Sequence, residues 1–108
     1  MLAHDMEWTD AEKAIARKAF DRALKAECAA MIAAVREMSG AARTFDELWA
    51  IRDYLTKQRR EIDEKYDYRY SQLIFVFGRL LREERISRAD LDGLAQEKID
   101  RILLLCSH

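Results

Sequence analysis

The chain carries few residues that make or break bonds. Its two histidines, His4 and His108, stand at the extreme ends, and neither H-E-x-x-H nor C-x-x-C occurs. No metal-ligand spacing is therefore present. Cys28 falls on an apolar stripe and reads as a small core hydrophobe. Cys106 lies near the chain's end with no base held in place beside it, so nucleophilic catalysis has no candidate set. Gly40, Gly78 and Gly93 are isolated, which excludes a loop that cradles phosphate. What remains is charge around one tryptophan. Trp49, Arg52, Asp53, Thr56, Arg59 and Arg60 follow one another at helical offsets. At 100° per residue they share an arc of about 120°, away from the Leu48, Ile51 and Leu55 stripe. A solvated face laced with i, i+4 ion pairs is one reading of these residues. The other is a binding surface, because tryptophan is a poor occupant of a purely solvated face. Trp with Arg is also a pairing enriched at the energetic centres of interfaces. Arg79, Arg82, Arg85 and Arg88 form a second basic edge, partly neutralised by Glu83 and Glu84. It reads as solvated surface rather than a phosphate-binding stripe.

The elements that must position these residues are all helices. The 108 residues contain no proline and three glycines, and half of them are apolar. Such a chain suits a single all-α domain, 1–108, and is poor material for hairpins. With 19 basic against 20 acidic residues the net charge is −1, which weakens a nucleic-acid reading. Two cysteines are too few for a disulfide framework and fit a reducing, cytoplasmic setting. The start has no cationic or apolar leader pattern, no run approaches a transmembrane span, and the length suits one complete domain.

Thr9-Asp10-Ala11-Glu12 and Thr44-Phe45-Asp46-Glu47 both read as capping boxes, with Ser87-Arg88-Ala89-Asp90 a weaker relative. The first helix is expected from about Asp10 to Met38, stopped by Ser39-Gly40 with the glycine in a left-handed conformation. Its stripe is Phe20, Leu24, Cys28, Met31, Val35 and Met38. At about 43 Å it implies an elongated molecule. The second helix follows Thr44 and buries Leu48, Ile51, Leu55, Ile62 and Tyr66. It either continues as one long rod or breaks near Tyr66-Asp67-Tyr68-Arg69. Leu73, Ile74, Phe77, Leu80 and Leu81 give a third helix, and a last one is expected from about Arg88 to Leu105. Stripes this long need cover that one chain does not supply. A two-fold homodimer with Leu48, Ile51 and Leu55 at its interface provides it, the alternative being a monomeric bundle with an unusually well-filled core.

From Glu47 to Leu81 the chain reads ELWAIRDYLTKQRREIDEKYDYRYSQLIFVFGRLL. This segment resembles the fluorescence recovery protein family of cyanobacteria, most specifically in its EID-KYD-R and IFVF runs. The resemblance implies an elongated all-helical homodimer, a stem with a short C-terminal helical head, without enzymatic activity or cofactor. It implies a regulator of photoprotection that binds the C-terminal domain of the photoactivated orange carotenoid protein. By hastening that protein's return to its resting orange form, it would end energy quenching at the phycobilisome. Trp49, Asp53 and Arg59 match functional positions of the family's long helix, and Leu48 matches a dimer-interface leucine. Phe75 and Phe77 match its head segment, and Lys98 and Arg101 match basic positions of its last helix. One departure stands at position 52, where the family's W-x-x-H-D has arginine in place of histidine. Arginine keeps hydrogen-bond donors and adds a permanent charge, so a relative with a different protein client is the nearest alternative. With Arg60, the expected partner-binding set is Trp49, Arg52, Asp53, Arg59, Arg60, Phe75, Phe77, Lys98 and Arg101.

Two further readings compete with this one. An all-α dimeric enzyme of chorismate-mutase type would use Arg52, Arg59 and Arg60 to clamp a dicarboxylate in a closed interhelical pocket. The other is a structural module, or a helix–turn–helix reader that would lay the Arg79–Arg88 edge on DNA against the near-neutral charge.

Overall fold

Both threonine start signals are used. The structure, a computed structural model, describes residues 6–107; His4 and His108 lie outside the described residues. Helix α1 spans Asp10–Ala41. Thr9 Oγ1 accepts from the Glu12 N–H at 3.1 Å, and the Thr9 N–H donates to Glu12 Oε1 at 3.0 Å. These reciprocal bonds satisfy two of the donors that a helix start leaves open. Helix α2 spans Phe45–Lys65, and Thr44 Oγ1 accepts from the Glu47 N–H at 3.1 Å. Here the Glu47 carboxylate turns to the Arg43 N–H instead, at 3.3 Å, so the box is only half closed.

Gly40 does not stop α1. The helix runs through it, and the chain turns at Ala42, whose backbone is extended (φ −66°, ψ 134°). The reason is local: Arg43 Nη1 donates to the Gly40 and Ala42 carbonyls at 3.0 and 2.9 Å. These bonds satisfy carbonyls at the helix end that a left-handed glycine would otherwise serve.

Helix α2 does break at the Tyr66–Gln72 segment, and α3 follows at Leu73–Arg82. No breaker residue causes this. The rings of Tyr66 and Tyr68 pack edge-on against Phe20 of α1, at 5.3 and 4.9 Å between centroids. The Arg17 guanidinium lies 3.6 Å from the Tyr68 centroid. These contacts to α1 outweigh the hydrogen bonds that a continued helix would add.

The last expected helix is two elements. A 3-10 turn covers Arg88–Leu91, capped by Ser87 and Asp90, and α4 covers Gln96–Cys106. Gly93 separates them with φ +101°, where a Cβ would lie 2.5 Å from Ile15 Cδ1. Gly78 has the other required glycine contact: a Cβ there would meet Leu105 Cβ at 2.8 Å. That glycine lets α3 and α4 pack backbone to backbone, and this pair forms the head.

The core lies at one end of the molecule. Leu73, Ile74, Phe77 and Leu80 of α3, Leu91 and Ile102 are fully buried, joined by Trp8, Ala16 and Phe20. Beyond this head, the rest of α1 and the folded-back α2 form a stem, giving extents of 53 × 24 × 23 Å. The stem is not closed. Cys28, Ile32, Leu48 and Leu55 are exposed, and Met31, Val35, Ile51 and Ile62 are half-buried. The expected stripes are thus present but only partly covered within one chain, and Cys28 is not a core residue.

Candidate functional site

The outer face of α2 carries the tryptophan–arginine constellation. Thr44 fixes the start of the helix, and each later member follows by helical geometry. Trp49 is half exposed, at 49%. Arg52 Nη2 lies 3.1 Å from Asp53 Oδ1, and its guanidinium carbon is 5.7 Å from the centroid of the Trp49 ring. One turn before the tryptophan, the Phe45 ring is stacked on it at 6.4 Å with the planes 14° apart. Further along, Arg59 reaches Asp63 at 4.0 Å, while Thr56 and Arg60 are exposed. The structure therefore sets Arg52 against both Trp49 and Asp53 and strings Arg59 and Arg60 along the same helix. Phe45 was not among the sequence candidates. Its signal was available, since a residue four before Trp49 lies within the same arc.

Two shallow apolar grooves run beside this face. One, of about 530 Å³, is lined by Leu48, Trp49, Ile51, Arg52, Leu55, Thr56 and Arg59. The other, of about 620 Å³, lies between the stem helices and includes Leu24, Cys28, Met31, Val35, Leu55, Arg59 and Ile62. Leu55 and Arg59 border both grooves, so the apolar strip is continuous. The arginines face an open surface in the chain: the Arg52 and Arg59 side chains are 69% and 87% exposed.

The head supplies one exposed candidate and corrects two. Phe75 is half exposed on α3. Phe77 is fully buried, because it faces α4 and the head core, so it supports the surface rather than forming it. Lys98 is also buried, at 6%. Its Nζ donates to the Glu7 carbonyl at 2.7 Å and to Glu12 Oε1 at 3.1 Å, and it lies 5.0 Å from the Trp8 ring. A lysine held in this way ties the start of α1 to α4 and offers no charge to a partner. Arg101 lies partly exposed, 3.6 Å from Glu97.

Ionisable groups with displaced pKa values lie at the joints between elements. Burial opposes ionisation of Glu12, but the Ala95 and Thr9 N–H groups and Lys98 outweigh it and hold the carboxyl at about 2. Burial likewise opposes ionisation of Glu83, which Lys65 and Arg79 nevertheless keep below the usual carboxylate range. Burial and the neighbouring Glu27 carboxylate push the Tyr66 hydroxyl up. Arg79 bonds Glu83 at 2.8 Å and Arg85 lies 3.6 Å from Glu27. Half of the basic edge is therefore engaged within the chain, which removes the basis for a phosphate stripe. Among the described residues no group of three or more His, Cys, Asp or Glu could hold a metal ion, and no helix is long and apolar enough to cross a membrane.

Comparison with known proteins agrees with this geometry. Residues 8–106 match the family described as photoprotection regulator fluorescence recovery protein. The chain is 37% identical over 98 residues to the fluorescence recovery protein of Synechocystis sp., covering 91% of this chain and 90% of that one. Its fold is similar to the structure of the Fremyella diplosiphon fluorescence recovery protein, with a TM-score of 0.91 and 35% identity. The structure of the Synechocystis protein gives the same TM-score and identity. Both comparisons cover 94% of this chain and 100% of the other. A stem bearing an exposed Trp–Arg–Asp face, a short helical head and a family match across nearly the whole chain place this protein in the fluorescence recovery protein family of photoprotection regulators.

Proposed function

We propose that the chain is a non-enzymatic, homodimeric, cytoplasmic regulator that binds the C-terminal domain of a photoactivated orange carotenoid protein and accelerates its reversion to the resting orange form. Phycobilisome quenching ends as a result. The observation that carries this reading is the half-exposed Trp49, held between Phe45 and Arg52 on an open face of α2. Large aromatic and arginine side chains in such a setting suit a protein partner. The clamp of a dicarboxylate enzyme instead needs arginines enclosed with their substrate, and within one chain Arg52 and Arg59 stand in the open. Two free thiols, Cys28 and Cys106, suit a reducing compartment.

The mechanism requires no bond to be made in the client. Binding that favours one client conformation, or the barrier between two, shifts or quickens their exchange by the difference in affinity. Trp49, Arg52, Asp53, Arg59 and Arg60 form the stem contact, and Phe75 with Arg101 the head contact. The exposed stem strip around Leu48, Ile51 and Leu55 is where a second copy packs.

The test is the dark decay of photoactivated orange carotenoid protein, followed by absorbance with substoichiometric amounts of this protein. Faster decay is expected, with the acceleration lost in Trp49→Ala. An unchanged decay rate would refute this client. If Arg52→His then conferred acceleration, client choice would be located at position 52, favouring a different natural partner.

A further inference from the structure

Phe45 is the first residue of α2 and the most exposed of the large apolar residues described, at 77%. Helix formation does not require a phenylalanine there, because Thr44 already caps the helix through the Glu47 N–H. Its ring is instead engaged by the next turn, stacked on Trp49 at 6.4 Å with planes 14° apart. Side chains on a helix lean toward its N-terminus. The Trp49 indole is therefore carried back toward Phe45, and the Arg52 guanidinium back over the indole, 5.7 Å from its centroid. Asp53 in turn holds Arg52 at 3.1 Å. The result is a ladder of exposed side chains that order one another without help from the core.

That order matters for binding. A lone tryptophan on a bare helix face samples several rotamers, and a partner must restrict it at some loss of affinity. A flat aromatic neighbour on one side and a cation on the other narrow the choice beforehand. The ladder's aromatic end is also separate from the groove between the stem helices, since neither Phe45 nor Trp49 lines that groove. Trp49 does border the groove it shares with Leu48, Ile51 and Leu55, whereas Phe45 lines neither groove, so the Phe45 ring stands at the margin of the strip that a second copy would cover.

We infer that Phe45 is a positioning residue of the partner site: by stacking on Trp49 it presets the indole in the orientation the client engages. This rests on the function proposed above and adds a residue that acts through Trp49. The decisive comparison is Phe45→Leu, which stays apolar but loses the flat face, against Phe45→Tyr, which keeps the ring. Two readouts are made on the full chain. One is the concentration giving half-maximal acceleration of orange carotenoid protein reversion. The other is the heteronuclear NOE of the Trp49 indole N–H, assigned with Trp49→Phe and referenced to buried Trp8.

Phe45→Leu is expected to raise the half-maximal concentration about 3- to 10-fold, to leave the saturated rate unchanged, and to lower the Trp49 NOE but not that of Trp8. Phe45→Tyr should retain wild-type values in both. A Phe45→Leu protein with an unchanged Trp49 NOE would overturn the inference. So would a mobilised indole with an unaltered concentration dependence; both outcomes leave the role of Trp49 itself standing. Absence of acceleration by the wild-type protein would overturn the proposed function, and the role of Phe45 in it.

Discussion

Glu84 has φ +59°, the only described non-glycine residue in the left-handed region. Its place explains the conformation. After α3 the Arg85 N–H returns to the Leu80 carbonyl at 2.8 Å and the Glu84 N–H to the Leu81 carbonyl at 3.1 Å. That pair of bonds is a Schellman closure, whose turning position glycine usually fills because a Cβ there is strained by about 1–2 kcal/mol. Glycine would also gain freedom in the unfolded chain, which offsets roughly half of that relief. Glu84→Gly is therefore expected to stabilise by about 0.5–1 kcal/mol and to raise the melting temperature by a few degrees. Thermal unfolding followed by circular dichroism checks it, and a lower midpoint would mean that the Glu84 side chain contributes more than its backbone loses. The same residue-scale logic separates the candidate site from its supports. Trp49 and Phe75 keep exposed surface, whereas Phe77 and Lys98 are enclosed. Substitutions at the first pair should alter client response, and at the second pair should alter folding.

Helices are tied together here by charge as well as by packing. Glu12, in the first turn of α1, accepts from the Ala95 N–H at 2.8 Å, the Thr9 N–H at 3.0 Å and Lys98 at 3.1 Å, joining the entry to α1 with the entry to α4. Its folded pKa is depressed to about 2 from an ordinary 4.5. The stability it contributes is therefore complete above pH 4.5 and lost as pH falls toward 2, a difference of about 3 kcal/mol. Urea unfolding should show this fall between those limits, and Glu12→Gln should flatten it. Glu12→Ala at neutral pH should cost about 3–5 kcal/mol, because Lys98 would be left buried without its counter-charge. Adding Lys98→Met should recover part of that loss. An unaltered pH profile in Glu12→Gln would refute the assignment. Such joints were the least legible part of the sequence. Helix starts could be read because a cap is local, as Thr9 with Glu12 demonstrates. The Trp49 face could be read because helical offsets place its members on one arc. Lys98 enters the partner-binding set only through the family's basic positions, and its contact with Glu12 joins distant segments that no spacing connects. The break after Lys65 has the same origin: Tyr66 and Tyr68 leave the helix for Phe20, far upstream. Gly40 misled for the opposite reason, since Arg43 supplies by side chain what glycine would supply by conformation.

At the scale of the whole molecule the head is satisfied and the stem is not. Helix α1 is 32 residues long and α2 only 21, so α2 cannot cover all of α1. The strip left open holds Ile32 and Leu48 at 47% and Leu55 at 40% exposure. It continues through the groove of about 620 Å³ between the stem helices. The proposed homodimer would cover this strip across a two-fold axis, burying both copies with one set of residues. Leu55 is the informative position because it borders both grooves yet belongs to neither the head core nor the Phe45–Trp49 ladder. Leu55→Arg places a charge on this strip in each copy, near Arg59 of its own chain. Desolvating that charge opposes association while the exposed helix tolerates it. Dimer affinity is expected to weaken at least about 100-fold, on the order of 3 kcal/mol. Light scattering after size-exclusion chromatography should then report a monomer at micromolar concentration, with helical content nearly unchanged. A dimer mass retained in Leu55→Arg would move the interface away from this strip. Retained mass together with retained client acceleration would show that the strip serves neither association nor the partner.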